Sequence, residues 1–272
     1  NMPADLASLR SRIATLDGRM AASMRESFSL GAPAIDRMVG GLSRRSLHEV
    51  FAEGVADGAA AGAFALALTL RAGGGRPIVW VRHSYAEAEG GRLYAPGLAE
   101  LGADVSRFLA VRARSPTEAL RAAAAAAGAS VGAVVLELWG EMRFLDLTAS
   151  RRLSLAAAAC GGVLALLRVG AAPAPSAAST RWSVKAAPSS ALEADAPGGP
   201  AFALTLLRNR NGRAGQTWMA EWNRDQRAVK IVSSRPSSLP APVAGGLVSV
   251  SAGGRLAAQA AAASRRAGQA VR

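Results

Sequence analysis

The chain has 272 residues, a formal net charge of +13 and a pI near 11.5, and half of its residues are apolar. This length suits one medium α/β domain with extensions, and the apolar content is enough for a sizeable core. A disulfide framework is excluded because Cys160 is the single cysteine. The most apolar stretch, Leu153 to Leu167, spans 15 residues, whereas a transmembrane helix needs about 20. With no secretory signal recognised at the N-terminus, we expect a soluble cytoplasmic protein without membrane contact.

The positive charge is carried almost wholly by arginine, since only Lys185 and Lys230 among the 32 basic residues are lysines. A charge of this size favours polyanionic partners such as nucleic acid or an acidic protein surface. A solvated basic surface is the alternative, and a coding bias toward Arg and Ala would also contribute. The composition by itself leaves these interpretations open.

Residues 1–27 are predicted to form an isolated amphipathic helix. Apolar residues recur there at spacings of three and four, and the arginines fall largely off that stripe. The helix could pack on its own domain or on a partner, so its stripe is a candidate partner surface. The stripe consists of Leu6, Leu9, Ile13, Leu16, Met20 and Met24.

Residues 28–232 show strands alternating with helices, which implies right-handed βαβ units and a mostly parallel sheet. Three further runs without intervening helices, 181–187, 201–208 and 217–222, are predicted to add antiparallel strands at one sheet edge. The segment 233–272 is rich in Pro, Ser, Ala and Gly and is predicted to be a flexible basic tail. The predicted alternating elements are helix 34–39, strand 47–51, helix 59–71, strand 77–82, helix 98–101, strand 107–112, helix 116–128, strand 131–137, helix 146–160 and strand 162–167.

The loop between strand 47–51 and helix 59–71 has the layout of a phosphate-binding loop. In such loops backbone N–H groups cradle phosphate, a lysine reaches the β and γ oxygens, and a Ser or Thr hydroxyl binds magnesium. Here Gly54 and Gly58 are present, but Ala59 and Ala60 follow, and Asp57 adds negative charge. Losing both the cation and the hydroxyl should abolish phosphoryl transfer. An ordinary βα turn that never bound phosphate remains the alternative.

The flanks of this loop resemble the core of RecA. The runs 29–42 and 48–51 are similar to the entry of that core, and 92–104 is similar to the segment after its second strand. Glu137 falls where a Walker B strand would end in Asp. Within this class the chain most resembles the ImuA family, RecA- and SulA-like proteins of bacterial mutagenesis cassettes. The segments that carry this resemblance are 42–51, 137–140, 145–153, 179–182 and 206–213.

The resemblance implies an α/β fold with a RecA-like core, a mostly parallel sheet flanked by helices, and antiparallel edge strands. ImuA-like proteins act with ImuB, a catalytically defective Y-family polymerase relative, and with an error-prone DNA polymerase to copy past lesions in the SOS response. They are considered RecA-like without a working ATPase, so no catalytic residue, cofactor or metal is expected. In place of RecA's catalytic glutamate after the second strand, this chain has Arg82-His83.

The expected partners are therefore RecA, an ImuB-like protein and an error-prone polymerase, with non-specific DNA binding left open. The helix stripe at Leu9, Ile13, Leu16 and Met20 is a candidate contact for RecA, the ImuB-like protein or a second copy. Two other hypotheses are a SulA-like cell-division inhibitor and an ATPase in which arginine replaces the lysine.

Several charged residues are candidate site residues. Glu137 could touch a metal or be a relic carboxylate satisfied by hydrogen bonds, whereas His48 and His83 are too few and too scattered for a metal site. The run 208–213 suggests a hairpin with cations at its tip, which could contact DNA phosphates, bind acidic protein or be solvated. The segment 169–179 has no cation, which argues against RecA-like contacts with single-stranded DNA. The candidate contacts to DNA or an acidic partner are Arg143, Arg151, Arg152, Arg208, Arg210 and Arg213.

Overall fold

The computed structural model describes residues 27–160, 162–196 and 198–232, which build a nine-stranded sheet flanked by helices and a small two-stranded sheet. The predicted tail 233–272 lies outside these residues, as does the predicted helix 1–27 apart from Ser27. Ser27 belongs to a strand, so the prediction of helix at that last position is wrong.

The described helices and strands follow the predicted alternation closely. The helices are α1 (Pro33–Val39), α2 (Gly58–Gly73), α3 (Ser84–Gly90), α4 (Ala95–Glu100), α5 (Pro116–Ala127) and α6 (Leu147–Cys160). The strands are β1 (Ser27–Phe28), β2 (Leu42–Ser43), β3 (Leu47–Ala52), β4 (Ile78–His83), β5 (Phe108–Ala113), β6 (Ala133–Trp139), β7 (Val163–Val169), β8 (Thr180–Ala187), β9 (Ala201–Asn209), β10 (Thr217–Asn223) and β11 (Ala228–Ile231).

The large sheet has the order β11-β10-β9-β8-β3-β7-β6-β4-β5. In this order, each neighbouring pair from β8 through β3, β7, β6 and β4 to β5 is parallel. The pairs β8–β9, β9–β10 and β10–β11 are antiparallel. The prediction of an α/β fold with a mostly parallel sheet and antiparallel edge strands is confirmed.

One predicted direction is wrong, because β8 runs parallel to β3 and not antiparallel. Parallel neighbours need a crossover connection, which is usually helical. Here residues 170–179 return the chain from the end of β7 to the start of β8 without a helix. The sequence therefore lacked the helical signal that marks a parallel connection.

The two faces of the sheet carry different cores. On one face the apolar helix α2 packs with Phe64 against Trp182 and Phe202. On the other face α5 and α6 pack closely, and α5 contributes small side chains at Ala119 and Ala123. The segment Val55–Gly73 could cross a membrane by length and composition alone. Ten residues of α2 are buried, as expected for the core helix of an α/β domain.

Local signals set the start and end of these helices. Ser115 Oγ accepts a hydrogen bond of 3.2 Å from the Glu118 N–H, and Pro116 occupies the first helical position of α5, where its missing N–H costs nothing. Gly74 ends α2 with φ of 57°, a left-handed conformation that favours glycine.

His48 is a buried hydrogen-bonded histidine of β3. Its Nδ1 lies 2.7 Å from the Thr180 hydroxyl and its Nε2 lies 2.8 Å from the Ser43 carbonyl oxygen. Burial lowers its pKa to about 4, although the hydrogen bond to Ser43 opposes this shift. His48 thus joins β3 to β8 in the neutral form.

We expect the folded state to lose stability in mild acid because of His48. The unfolded chain binds a proton near the ordinary pKa of about 6.5, whereas folded His48 binds one only near about 4. Stability is therefore present above pH 6.5 and falls as the pH falls toward 4, by about 2 kcal/mol between pH 7.5 and 5. Urea unfolding at both pH values measures this, and His48→Gln should flatten the dependence. An equally steep dependence in that variant would contradict the assignment.

Candidate functional site

The carboxyl ends of β3, β4, β6 and β7 meet at one edge of the sheet, the edge at which parallel α/β sheets bind ligands. The loop at 53–57 leaves β3 there and leads directly into α2. The predicted order of strand, loop and helix is therefore present.

The loop binds a carboxylate of its own. Asp57 Oδ2 accepts a hydrogen bond of 3.0 Å from the Gly54 N–H, and Asp57 Oδ1 accepts one of 2.8 Å from the Ala186 N–H in β8. A backbone N–H that would meet phosphate in a working loop is thus satisfied internally. The sequence predicted that the Asp57 carboxylate would repel phosphate. In the structure this carboxylate also occupies the Gly54 N–H, a backbone donor of the loop.

The catalytic cation and hydroxyl are missing from the start of α2, where Ala59 and Ala60 follow Gly58. Lys185 of β8 lies beside the loop, with its Nζ 4.0 Å from Glu53 Oε1. Both side chains of this pair are more than half exposed, so their attraction is weak. Lys185 lies on β8, whereas the lysine of a phosphate-binding loop stands at the start of the helix that follows the loop.

Glu137 is buried and has hydrogen-bond donors on both oxygens. Its Oε1 accepts from Arg82 Nη2 at 2.8 Å and from Trp139 Nε1 at 2.7 Å. Its Oε2 accepts from Trp80 Nε1 at 2.8 Å. Three protein donors thus occupy three of the roughly four lone-pair sites of the Glu137 carboxylate.

Arg82 holds the segment after β4 in place. Its Nη1 donates to the Gly91 carbonyl at 2.6 Å, and its Nη2 donates to the Ala86 carbonyl at 3.1 Å as well as to Glu137. The adjacent His83 accepts from the Trp139 N–H at 3.2 Å, and burial lowers its pKa. The side chains that replace RecA's glutamate segment therefore act as structural contacts.

Trp139 packs directly over two glycines of this edge. A Cβ added to Gly90 would lie 2.8 Å from the indole ring, and one added to Gly58 would lie 3.5 Å from it. A pocket of about 360 Å³ remains between α2, β4 and α4, with aliphatic walls at Leu66, Leu98 and Leu101. Its lining is mainly aliphatic and aromatic, but it also contains the charged residues Arg82, Arg92 and Glu137.

A second concave region lies beside α6, on the sheet face opposite α2. It has a volume of about 600 Å³ and brings together three of the six predicted arginines. We call it the arginine groove. Its lining residues are Leu147, Arg151, Ser154, Leu155, Pro175, Ser176, Ala177, Arg208 and Arg210.

The other predicted arginines do not line this groove. Arg143, Arg152 and Arg213 are exposed outside its lining. The predicted hairpin is present, because β9 and β10 pair antiparallel around residues 210–216. The cations of run 208–213 are thus divided between the groove and open solvent.

A buried ion pair under the groove was missed by sequence reasoning. Glu49 Oε2 accepts from Ser176 Oγ at 2.6 Å and pairs with Arg181 Nε at 2.9 Å. Arg208 Nη1 donates to the Ser176 carbonyl at 3.2 Å. A charged residue inside the apolar strand β3 was the available signal, but its partners lie more than 120 residues away. This contact fixes segment 175–177 against the sheet.

The crystal structure of the RadB recombinase is similar to this chain in fold, with a TM-score of 0.50, 15% sequence identity and coverage of 75% of this chain and 99% of that chain. This likeness and the mostly parallel sheet flanked by helices show a RecA-like α/β fold. Protein ImuA of Caulobacter vibrioides, from two strains, is 37% identical over 207 residues, which are 69% of this chain and 80% of the relative. The chain belongs to the ImuA family. No protein-family model matches it.

Proposed function

We propose that this chain is an accessory protein of bacterial translesion mutagenesis that works by binding partners and does not hydrolyse ATP. Membership of the ImuA family and the RecA-like fold support an accessory role in the mutagenesis system. The partners that fit this role are RecA, an ImuB-like polymerase relative and an error-prone DNA polymerase. The setting is the SOS response in the cytoplasm.

The bond from the Gly54 N–H to Asp57 is the observation that carries the non-hydrolysing role. A phosphate loop works by offering such N–H groups to an anion, and this loop offers one to its own side chain. Ala59 and Ala60 supply neither charge nor a metal-binding hydroxyl, and the oxygens of Glu137 are engaged by three donors. Phosphoryl-transfer catalysis consists largely of positioning and charge neutralisation, and no described residue at the start of α2 supplies the lysine charge or the hydroxyl for them.

We expect no binding of Mg-ATP by the full chain. Titration calorimetry uses nucleotide at about 1 mM, which is the upper end of typical enzyme KM values, and it should give only heats of dilution. A phosphate-release assay should stay at background with and without single-stranded DNA. A working RecA protein measured in parallel is the control. Saturable binding together with phosphate release would contradict the proposal and favour the ATPase hypothesis.

A genetic experiment tests the biological role. Deleting the gene should remove most damage-induced mutations while leaving division normal, and a plasmid copy should restore them. A division defect with unchanged mutation frequency would favour the SulA-like hypothesis instead.

A further inference from the structure

We propose that the arginine groove binds an acidic amphipathic segment of a partner protein. The inference rests on the proposed accessory function and adds to it the surface and the chemistry of the partner.

The apolar part of the groove lies on α6. Leu147, Arg151 and Leu155 are spaced by four residues, so they lie in one row along the helix. Leu147 is 53% exposed and Leu155 is 65% exposed, and eight residues of helix separate them by about 12 Å. Two apolar anchors with a cation between them match a partner helix with apolar residues about two turns apart.

The charged part of the groove comes from both walls. Arg151 belongs to α6, while Arg208 near the end of β9 and Arg210 just after this strand lie on the other side. Arg208 is held by the Ser176 carbonyl at 3.2 Å, whereas the guanidinium groups of Arg151 and Arg210 have no partner among the described residues. No carboxylate is among the groove's lining residues. Charge complementarity therefore selects an acidic occupant.

The same residues favour protein over nucleic acid. Single-stranded nucleic acid is bound by combining cations with aromatic side chains on which bases stack, and the lining of this groove contains no aromatic residue. Contact between an exposed leucine and a phosphate contributes little binding free energy, whereas burial of that leucine against apolar side chains is favourable. The adjoining segment 170–178 adds no cation to extend a phosphate track.

The rigidity of the groove supports a recognition role. Its central segment 175–177 is fixed by the bond from Ser176 Oγ to Glu49 at 2.6 Å and by the bond from the Ala177 N–H to Ser150 Oγ at 3.1 Å. A wall fixed in this way loses little conformational freedom when a partner binds.

The test uses the full chain and fluorescent overlapping 20-residue peptides that cover RecA, the ImuB-like protein and the error-prone polymerase of the same organism. Fluorescence polarisation should find binding by peptides that combine several carboxylates with apolar residues seven or eight positions apart. The double variant Arg151→Glu with Arg210→Glu should weaken binding of these peptides about a hundredfold. Leu155→Ser should weaken it about tenfold.

Matched controls change the same chemistry elsewhere on the surface. Arg121→Glu reverses a charge at an exposed position on α5, and Leu192→Ser removes an exposed apolar side chain; both positions lie outside the groove. Both variants should bind the peptides as the wild type does. Thermal unfolding of all variants verifies that each one is folded.

The outcomes separate the two proposals. Full-length partners that bind the wild type and the groove variants equally would overturn the groove inference and leave the proposed function standing. Absence of binding to every full-length partner would overturn both. Binding of a 30-nucleotide single-stranded DNA is also measured. If the arginine double variant loses this binding and Leu155→Ser keeps it, the groove binds nucleic acid and the inference is overturned.

Discussion

Replacing Glu137 with glutamine is expected to lower the free energy of unfolding by about 3–5 kcal/mol, because removal of one partner leaves a buried charge uncompensated. The side chains of Arg82 and Glu137 are only 10% and 5% exposed, and their nearest atoms are 2.8 Å apart. Arg82 cannot lose its proton to escape the penalty. Urea denaturation followed by tryptophan fluorescence measures the change.

The size of this effect distinguishes a structural carboxylate from a catalytic one. Glu53→Gln is the control, because its pair with Lys185 is exposed and should contribute less than about 1 kcal/mol. The double variant Arg82→Met with Glu137→Leu should recover only the part of the loss that comes from the uncompensated charge. The Trp80 and Trp139 N–H groups and the Ala86 and Gly91 carbonyls lose their partners in this variant, which keeps it less stable than the wild type. An unchanged denaturation midpoint for Glu137→Gln would contradict the structural role.

Replacing Glu49 with glutamine should also destabilise the fold by about 3–5 kcal/mol. Glu49 pairs with Arg181 at 2.9 Å, and both side chains are nearly buried. It also compensates the charge of Arg168, whose pKa is lowered by burial and raised in part by Glu49. Without this carboxylate, two buried guanidinium groups lose an important counter-charge.

The Glu49 variant should additionally loosen one wall of the arginine groove. Backbone amides near Ser176 should exchange hydrogen faster in this variant, including the amide of Ala178, which donates to Ser176 Oγ at 3.3 Å. The exchange of the β6 amides should change only with the global stability. Glu118→Gln at an exposed helix start serves as the control for both measurements. Unchanged exchange around Ser176 in the Glu49 variant would show that the groove is fixed by other contacts.

The sequence predicted the sheet class and most elements because their signals are local. Continuous apolar runs marked the buried strands β4, β6 and β7, and Ser115-Pro116 marked the start of α5. It did not predict α3 or β11. The seven residues of α3 are held by Arg82, which bonds to Ala86 and to Gly91 just beyond the helix. A short helix that is held by a side chain of the preceding strand has little apolar pattern of its own.

The absence of the P-loop lysine and hydroxyl was determined by sequence alone, because the residues that make a phosphate loop are contiguous. Only the tertiary structure decided what the remaining charges do. Glu137 meets Arg82 from another strand, Asp57 meets the Ala186 N–H of β8, and Arg151 joins Arg208 in one groove. These groups are separated by 55 or more residues. Electrostatic and hydrogen-bond partners depend on distance in space, which strand order and crossover connections set and which spacing along the chain does not encode.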